Sequence, residues 1–527
     1  MSNTNLYFTS NDIDLLDSNI DKIKEEADLV RDKMFQPPID TKRKYLDCIL
    51  NFTKSKNRKL YGGYALNELI LLEKNIKPIY EDGTVHDIDF YSPDPVNDVI
   101  DLCDKLHKLK LGEVKCIEAM HNETYTIKID GEVYCDISYV PKGIYNRMPY
   151  TTGKSGLILI HPHWMWIDYL RQIVDPINSW FRIEKCYKRF HVLQQIYKFP
   201  VKLDGIDMGE STLDLDHALH TILSFLKDRH STVTIGLYAY NYYLDKSGST
   251  KKIARGSRNG NTRHRTSDVP LKYLDVPYYE FISTDYKKDV LELLDELKRA
   301  FPGDEDSITY TEYYPFFQFT GYNVNIYYKK DLIAKIYNNN KKCIPYQDLP
   351  CMHYSKKPGD IKKMDGFIRL GTFSITLMYN LINIQRHRTN KDDDAKDLFY
   401  TITSHLLHMR NFFLDKSGKT ILDETPFKEL IVNCVGHTLT ARMEKDLRIK
   451  ENKKENKRYT FTYDPSHTIT KRPVLYFANS SGNSIQNCKN YKISPCENST
   501  VDHDTDIDVD IDETEKTTEK TTKKTTE

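Results

Sequence analysis

Apolar positions at Ile13, Leu16, Ile20, Ile23, Ala27 and Val30 recur at helical spacing, and they predict an amphipathic helix over 11–34. Pro37-Pro38 stops it, and a second helix is expected over 42–53. The period then shortens. A strand at Lys59-Leu60-Tyr61 runs into Gly62-Gly63, and a helix is predicted from Tyr64 to about Glu73. A strand follows over 85–91, Asp94-Pro95 opens a helix through Lys108, and two β-rich runs cover 124–129 and 132–140. This order of helices and short strands describes an α+β or α/β unit with a small mixed sheet. Helical text follows over 167–174 and 179–197, a β/α mixture resumes between Thr232 and Tyr346, and helical text returns from Gly371 to Arg448. The expected segments are therefore an N-terminal helical lead (1–57), a first core (58–160), a helical connection (161–230), a second mixed unit (231–348), a C-terminal helical region (349–447) and a tail (448–527).

The tail changes the charge picture. The whole chain of 527 residues balances 76 Lys+Arg against 76 Asp+Glu. From Ser499 onward, however, ten acids face four lysines, so residues 1–498 carry a net charge of +6. A uniformly basic nucleic-acid coat is excluded; a local basic groove is not. The Thr/Lys/Glu ending has too little apolar surface to offset its ordering entropy and reads as disordered. The run from Arg448 to Arg458, with Lys453, Lys454 and Lys457, reads either as a solvated helix end or as an RNA-contacting arm. No stretch reaches the roughly 20 apolar residues of a membrane span, and residues 1–10 show no secretory pattern. Ten scattered cysteines without a Cys-x-x-Cys pair argue against a disulfide scaffold or a zinc site and for a reducing compartment.

The chemistry concentrates in His86-Asp87-Ile88-Asp89-Phe90-Tyr91. Alternate residues of a strand share a face, so Asp87 and Asp89 project together while Ile88 and Phe90 enter the core. Two carboxylates on one face suit Mg²⁺. A third, Asp136, interrupts the apolar run Val133-Tyr134-Cys135-Asp136-Ile137, where an unpartnered acid would be costly. Gly62-Gly63, at a strand-to-helix junction and followed by Tyr64, offers backbone amides to an anion.

This order of Gly-Gly, Asp-x-Asp and a later lone Asp over about 58–140 resembles the DNA polymerase β-like nucleotidyltransferase superfamily. The resemblance implies that Asp87, Asp89 and Asp136 hold two divalent ions, Mg²⁺ or Mn²⁺, and that Gly62 and Gly63 contact phosphates. Many members place Ser after the first glycine; here the position is Gly63. On a helix, Lys185, Lys188 and Arg189 would share a face beside these carboxylates, either to hold a nucleotide triphosphate or as a solvated face.

The chain also echoes itself. Gly62, Tyr64, Ala65 and Asn67 align with Gly236, Tyr238, Ala239 and Asn241, and Ser92-Pro93-Asp94 with Asp98-Val99 aligns with Ser283-Thr284-Asp285 and Asp289-Val290. In that register Asp87 and Asp89 fall opposite Tyr278 and Glu280, and Asp136 falls opposite Lys335. The second unit therefore reads as a degenerate copy without metal ligands. It contains an acid-free loop with Lys251, Lys252, Arg255, Arg258, Arg263 and Arg265, suited to phosphates of a nucleic acid. Tyr238, Tyr240, Tyr242 and Tyr243 read as stacking surfaces for bases or as core residues.

A catalytic unit, a Trp/Lys/Arg-rich helical region and a degenerate second copy together are similar to the viral poly(A) polymerase catalytic subunits of poxviruses and giant amoebal viruses of the mimivirus type. The resemblance spans roughly 40–440. It implies template-independent addition of AMP from ATP to RNA 3′ ends, a homodimer or a separate processivity subunit, and a place in the virion and host cytoplasm. A CCA-adding tRNA nucleotidyltransferase shares the carboxylates, and Asp168-Tyr169-Leu170-Arg171 has the bare spacing of its template element. An oligoadenylate synthetase is a third enzyme reading, one that would need activation by double-stranded RNA and would make 2′-5′ products. A non-catalytic RNA-binding scaffold would not need it, and the intact Asp87, Asp89 and Asp136 argue against that reading.

Overall fold

The computed structural model describes residues 7–35, 38–73, 76–80, 86–121, 123–208, 213–249, 271–354, 361–454, 461–467 and 485. The basic loop at 251–265 and the acidic tail lie outside the described residues.

The first half runs α1 (Ser10–Phe35), α2 (Ile39–Ser55), β1 (Lys59–Tyr61), α3 (Gly62–Ile70), β2 (Ile88–Ser92), α4 (Pro95–His107), β3 (Val114–Glu118), β4 (Thr124–Ile129), β5 (Glu132–Tyr139), α5 (Lys142–Arg147), β6 (Tyr150–Thr152) and β7 (Ile158–Ile160). The connection holds α6 (Pro162–Ile173), α7 (Pro176–Ser179), a 3₁₀ turn (Trp180–Arg182), α8 (Ile183–Ile196) and α9 (Leu213–Leu226). The second half runs β8 (Thr232–Ile235), α10 (Gly236–Ser247), β9 (Tyr279–Ser283), α11 (Tyr286–Ala300), β10 (Ile308–Tyr313), β11 (Asn323–Tyr328), β12 (Asp331–Asn338), β13 (Ile344–His353), β14 (Lys362–Gly371), α12 (Phe373–Asn390), α13 (Asp393–Ser417), β15 (Cys434–Val435), α14 (Ala441–Lys454) and β16 (Thr462–Tyr463).

Two mixed sheets repeat one topology. The first is ordered β16-β3-β4-β5-β2-β1-β7-β6 and the second β10-β11-β12-β9-β8-β14-β13-β15. In each, the first strand is antiparallel to the second (β1 to β2, β8 to β9), and that second strand is parallel to a later one (β2 to β5, β9 to β12). The repeated Ser and Asp have one physical role. Ser92 and Arg58 both donate to Asp98, as Ser283 and Arg229 donate to Asp289, and each aspartate is buried beneath its sheet. A buried carboxylate needs such donors to remain charged. The duplicated mixed fold expected from the internal echo is therefore present in seven strands of each sheet, with β16 and β15 added at opposite edges.

The halves meet through aromatic packing, with Trp164 of α6 against Phe316, Phe317 and Phe319, and Tyr91 edge-on to Phe317. Tyr238, Tyr240, Tyr242 and Tyr243 are all buried, so they are core residues and not stacking surfaces. Tyr240 shares a 2.9 Å hydrogen bond with His405, and Tyr243 donates to the Gly371 carbonyl at 2.9 Å.

Three further points correct the sequence reading. The helical region expected from 349 begins instead with strand: β13 and β14 form a hairpin reaching Gly371. Ile368 and Leu370 are buried at period two, a strand pattern that the exposed apolar Phe367 beside them breaks. Second, Cys343 and Cys434 form a disulfide, brought together across 91 residues by the pairing of β13 with β15. Sequence spacing carries no trace of that contact. Third, the basic run is partly anchored: Arg448 pairs with the buried Glu118, and Lys445 donates to the Glu118 carbonyl at 2.9 Å. That part of α14 is neither a solvated end nor a free arm. No helix among the described residues is long and apolar enough to cross a membrane.

Candidate active site

The site is built where β1, β2 and β5 lie side by side. Tyr61 pairs with Asp89 across β1 and β2, and Asp89 pairs with Asp136 across β2 and β5. Asp87 precedes β2 and is exposed at its mouth, two residues from Asp89. The chain leaves β1 in extended conformation at Tyr61 and turns at Gly62, whose φ is +72°. Any Cβ there would lie 2.2 Å from a carboxylate oxygen of Asp89, so only glycine permits both the turn and the approach. The free amides of the α3 N-terminus open beside the carboxylates.

Electrostatics shows how the acids depend on their surroundings. Burial pushes the Asp89 carboxyl well above its ordinary range, the charges of Asp87 and Asp136 push it further, and Arg189 and Lys185 pull it back. Burial also raises Asp136, while a 2.6 Å hydrogen bond from the Thr126 hydroxyl opposes the rise. Arg182 acts on Asp136 in the same favourable sense.

Of the three basic residues expected on one face, two reach the site. Arg189 donates to the Tyr80 hydroxyl at 3.2 Å and lies where a side chain on Gly63 would have been. Lys185 is felt by Asp87 and Asp89. Lys188 is exposed and pairs with Glu184 on its own helix. The residue missing from the sequence reading is Arg182. At about 100° per residue, positions 182, 185 and 189 fall within a 60° arc, whereas 188 lies outside it. The signal was an i, i+3, i+7 pattern, hidden because Arg182 belongs to the 3₁₀ turn before α8. Tyr64 is half-buried, and its charged neighbours are Glu68 and Asp47.

The donors Asp87, Asp89 and Asp136 are hard carboxylate oxygens, the kind that Mg²⁺ or Mn²⁺ prefers, and their mutual charge favours a cation. Among the described residues no group of three or more His, Cys, Asp or Glu is drawn together at ligand spacing. The registered pair is Asp89 with Asp136.

The corresponding place in the second half is closed. Glu280 pairs across the register with Lys335. Glu280 accepts hydrogen bonds from Tyr337 at 2.6 Å and Asn383 at 3.0 Å, and Lys335 donates to Asn383 at 3.2 Å. Lys335 and Glu280 are 6% and 2% exposed, so this ammonium occupies the interior where the first half presents carboxylates to the cleft. The Asp168/Arg171 spacing is also explained locally. The two residues make an ion pair at 3.4 Å, and Asp168 accepts a further bond from Tyr91.

A family model described as "Poly(A) polymerase catalytic subunit" matches residues 47–179. Another, "APMV, Putative poly(A) polymerase, catalytic subunit, C-terminal", matches residues 217–494. A protein of Acanthamoeba polyphaga mimivirus named "Putative poly(A) polymerase catalytic subunit" is 31% identical over 499 residues, spanning 91% of this chain and 83% of the relative. A protein of the same name from African swine fever virus (strain Badajoz 1971 Vero-adapted) is 28% identical over 162 residues, 30% of this chain and 34% of that one. The crystal structure of the Megavirus polyadenylate synthase superposes with a TM-score of 0.73 at 28% identity, covering 88% of both chains.

Proposed function

The chain belongs to the family of viral poly(A) polymerase catalytic subunits, and we propose that the first half alone carries its chemistry, with Asp87, Asp89 and Asp136 as the acidic centre. The observation that carries this reading is the pair of matched registers: Asp89 beside Asp136 in one half, Glu280 beside Lys335 in the other. Only the first arrangement suits a divalent cation.

The reaction is template-independent transfer of AMP from ATP to an RNA 3′ end. The 3′-oxygen bonds to the α-phosphorus, and the bond from that phosphorus to pyrophosphate breaks. The backbone amides at Gly62 and Gly63 and the α3 N-terminus receive the phosphates. Arg189 and Lys185 add positive charge beside them, fixing the triphosphate for in-line attack. Asp87, Asp89 and Asp136 would hold two Mg²⁺ or Mn²⁺ ions. When bound, such ions supply the charge that activates the attacking hydroxyl and steadies the leaving pyrophosphate.

The test is extension of a short single-stranded RNA primer by the full chain, with Mg²⁺ or Mn²⁺ and each NTP separately. Asp87→Ala/Asp89→Ala is the control. A long ladder with ATP alone, lost in the control, is expected. Extension that survives in the control would move the chemistry elsewhere, and one to three additions requiring CTP would indicate tRNA end repair.

A further inference from the structure

Across the first sheet the site has a direction. The Gly62 turn follows β1, Asp89 lies on β2 and Asp136 on β5, in that spatial order. The cations of the segment 182–189 meet these groups in the same order. Arg189 stands at Gly63, Lys185 acts on Asp87 and Asp89, and Arg182 acts on Asp136. If phosphates occupy the glycine end, the attacking strand must enter from the Asp136 end.

At that end, directly before Arg182, two large aromatic side chains stand in solvent. Trp180 is 73% exposed and Phe181 62% exposed. Their rings meet edge-on at 5.8 Å, and the Arg182 guanidinium lies 5.6 Å from the centre of the Phe181 ring. This contrasts with Tyr238, Tyr240, Tyr242 and Tyr243, which are committed to the core. Exposed tryptophan and phenylalanine forgo hydrophobic burial. A single-stranded nucleic acid would supply what they lack: bases to stack on the rings and phosphates for the adjoining cation.

We infer that Trp180 and Phe181 form a stacking platform for the last bases of the RNA strand, placing its 3′ end at Asp136, with Arg182 contacting the backbone between platform and carboxylates. The inference rests on the assignment of the carboxylate centre for the direction of the strand. The binding itself needs neither ATP nor chemistry. Stacking on a π-face tolerates any base, as suits a strand whose end is renewed at each addition.

The experiment measures equilibrium binding of a fluorescent 15-nucleotide oligoadenylate to the full chain by anisotropy, without ATP. A second oligonucleotide is abasic at its last two positions. Trp180→Ala/Phe181→Ala should weaken binding of the intact strand by roughly tenfold or more. The abasic strand should bind wild type with a similar loss and bind the variant with little further loss. Trp180→Phe/Phe181→Tyr keeps the rings and should retain most of the affinity, which separates stacking from misfolding. Unchanged affinity of the alanine variant for the intact strand overturns the inference. If light scattering shows an altered oligomeric state with RNA affinity intact, the rings instead contact a second copy of this chain. A chain that binds RNA through these rings yet never extends it keeps the platform and loses the proposed reaction.

Discussion

Lys335 stands across the β9–β12 register from Glu280, where Asp136 stands across the β2–β5 register from Asp89. One half presents an acidic pair that suits a cation, and the other contains its own. Removing the ammonium by Lys335→Met should leave Glu280 buried and uncompensated, at a cost of about 3–5 kcal/mol. The double variant Lys335→Met/Glu280→Gln should recover much of that loss, measured by urea denaturation. Equal losses in the single and double variants would mean that the two charges are not coupled.

Gly62 and Gly236 occupy equivalent turns with φ of +72° and +64°, and a Cβ would meet Asp89 at 2.2 Å in one and Glu280 at 2.6 Å in the other. Gly62→Ala should lower kcat by about a hundredfold or more, because it displaces Asp89 of the proposed acidic centre. Gly236→Ala carries a similar backbone strain of about 1–2 kcal/mol and should lower stability with kcat nearly intact. Primer-extension rates at matched folded fractions separate the two.

Arg189 and Lys188 are adjacent in sequence and unlike in position. Arg189→Ala should raise KM for ATP by about tenfold, equivalent to about 1.4 kcal/mol. Lys188→Ala, which removes only an exposed pair with Glu184, should leave KM within about twofold. Similar effects from both would restore a common face for residues 185, 188 and 189.

His163 is buried between Trp166, Phe199 and Tyr400, with Nδ1 3.1 Å from the Tyr400 hydroxyl. Burial, and then Arg388, push it down to about 3. Between pH 6.5 and 3 the unfolded chain therefore takes up a proton here that the folded chain refuses. Stability should fall with pH across that window by about 1.4 kcal/mol per unit. Asp168, raised to about 6 by burial, acts with opposite sign between 6 and 3.8. The informative quantity is thus the difference between wild type and His163→Phe in urea titrations from pH 7 to 5. The variant should show the shallower slope, and parallel slopes would refute the assignment.

What could be read from the chain follows from the range of the interactions. The alignment of Asp89 with Glu280 and of Asp136 with Lys335 was legible because Gly62/Gly236 and Ser92/Ser283 perform local tasks at fixed spacing: a positive-φ turn and a bond to the following aspartate. The approach of Tyr80 to Arg189 and the Cys343–Cys434 bridge depend on distant segments meeting, and no local pattern encodes them. Arg182 was hidden for another reason. It belongs to the 3₁₀ turn before α8, so a face drawn on the helix alone begins after it. The hairpin β13–β14 was obscured because the apolar Phe367 stands at an exposed position and breaks the alternation.

The last described strand has a temporal meaning. Thr462 and Tyr463 pair with Ile117 and Cys116, adding β16 to the outer edge of the first sheet. That edge emerges from the ribosome more than 300 residues before its cover, a delay of roughly 20 to 70 s at typical elongation rates. Throughout that interval β3 offers unpaired amides and carbonyls to any neighbouring nascent chain. When many copies are made at once on clustered ribosomes, completion of the first sheet becomes a competition between a chain's own late segment and the exposed edge of another.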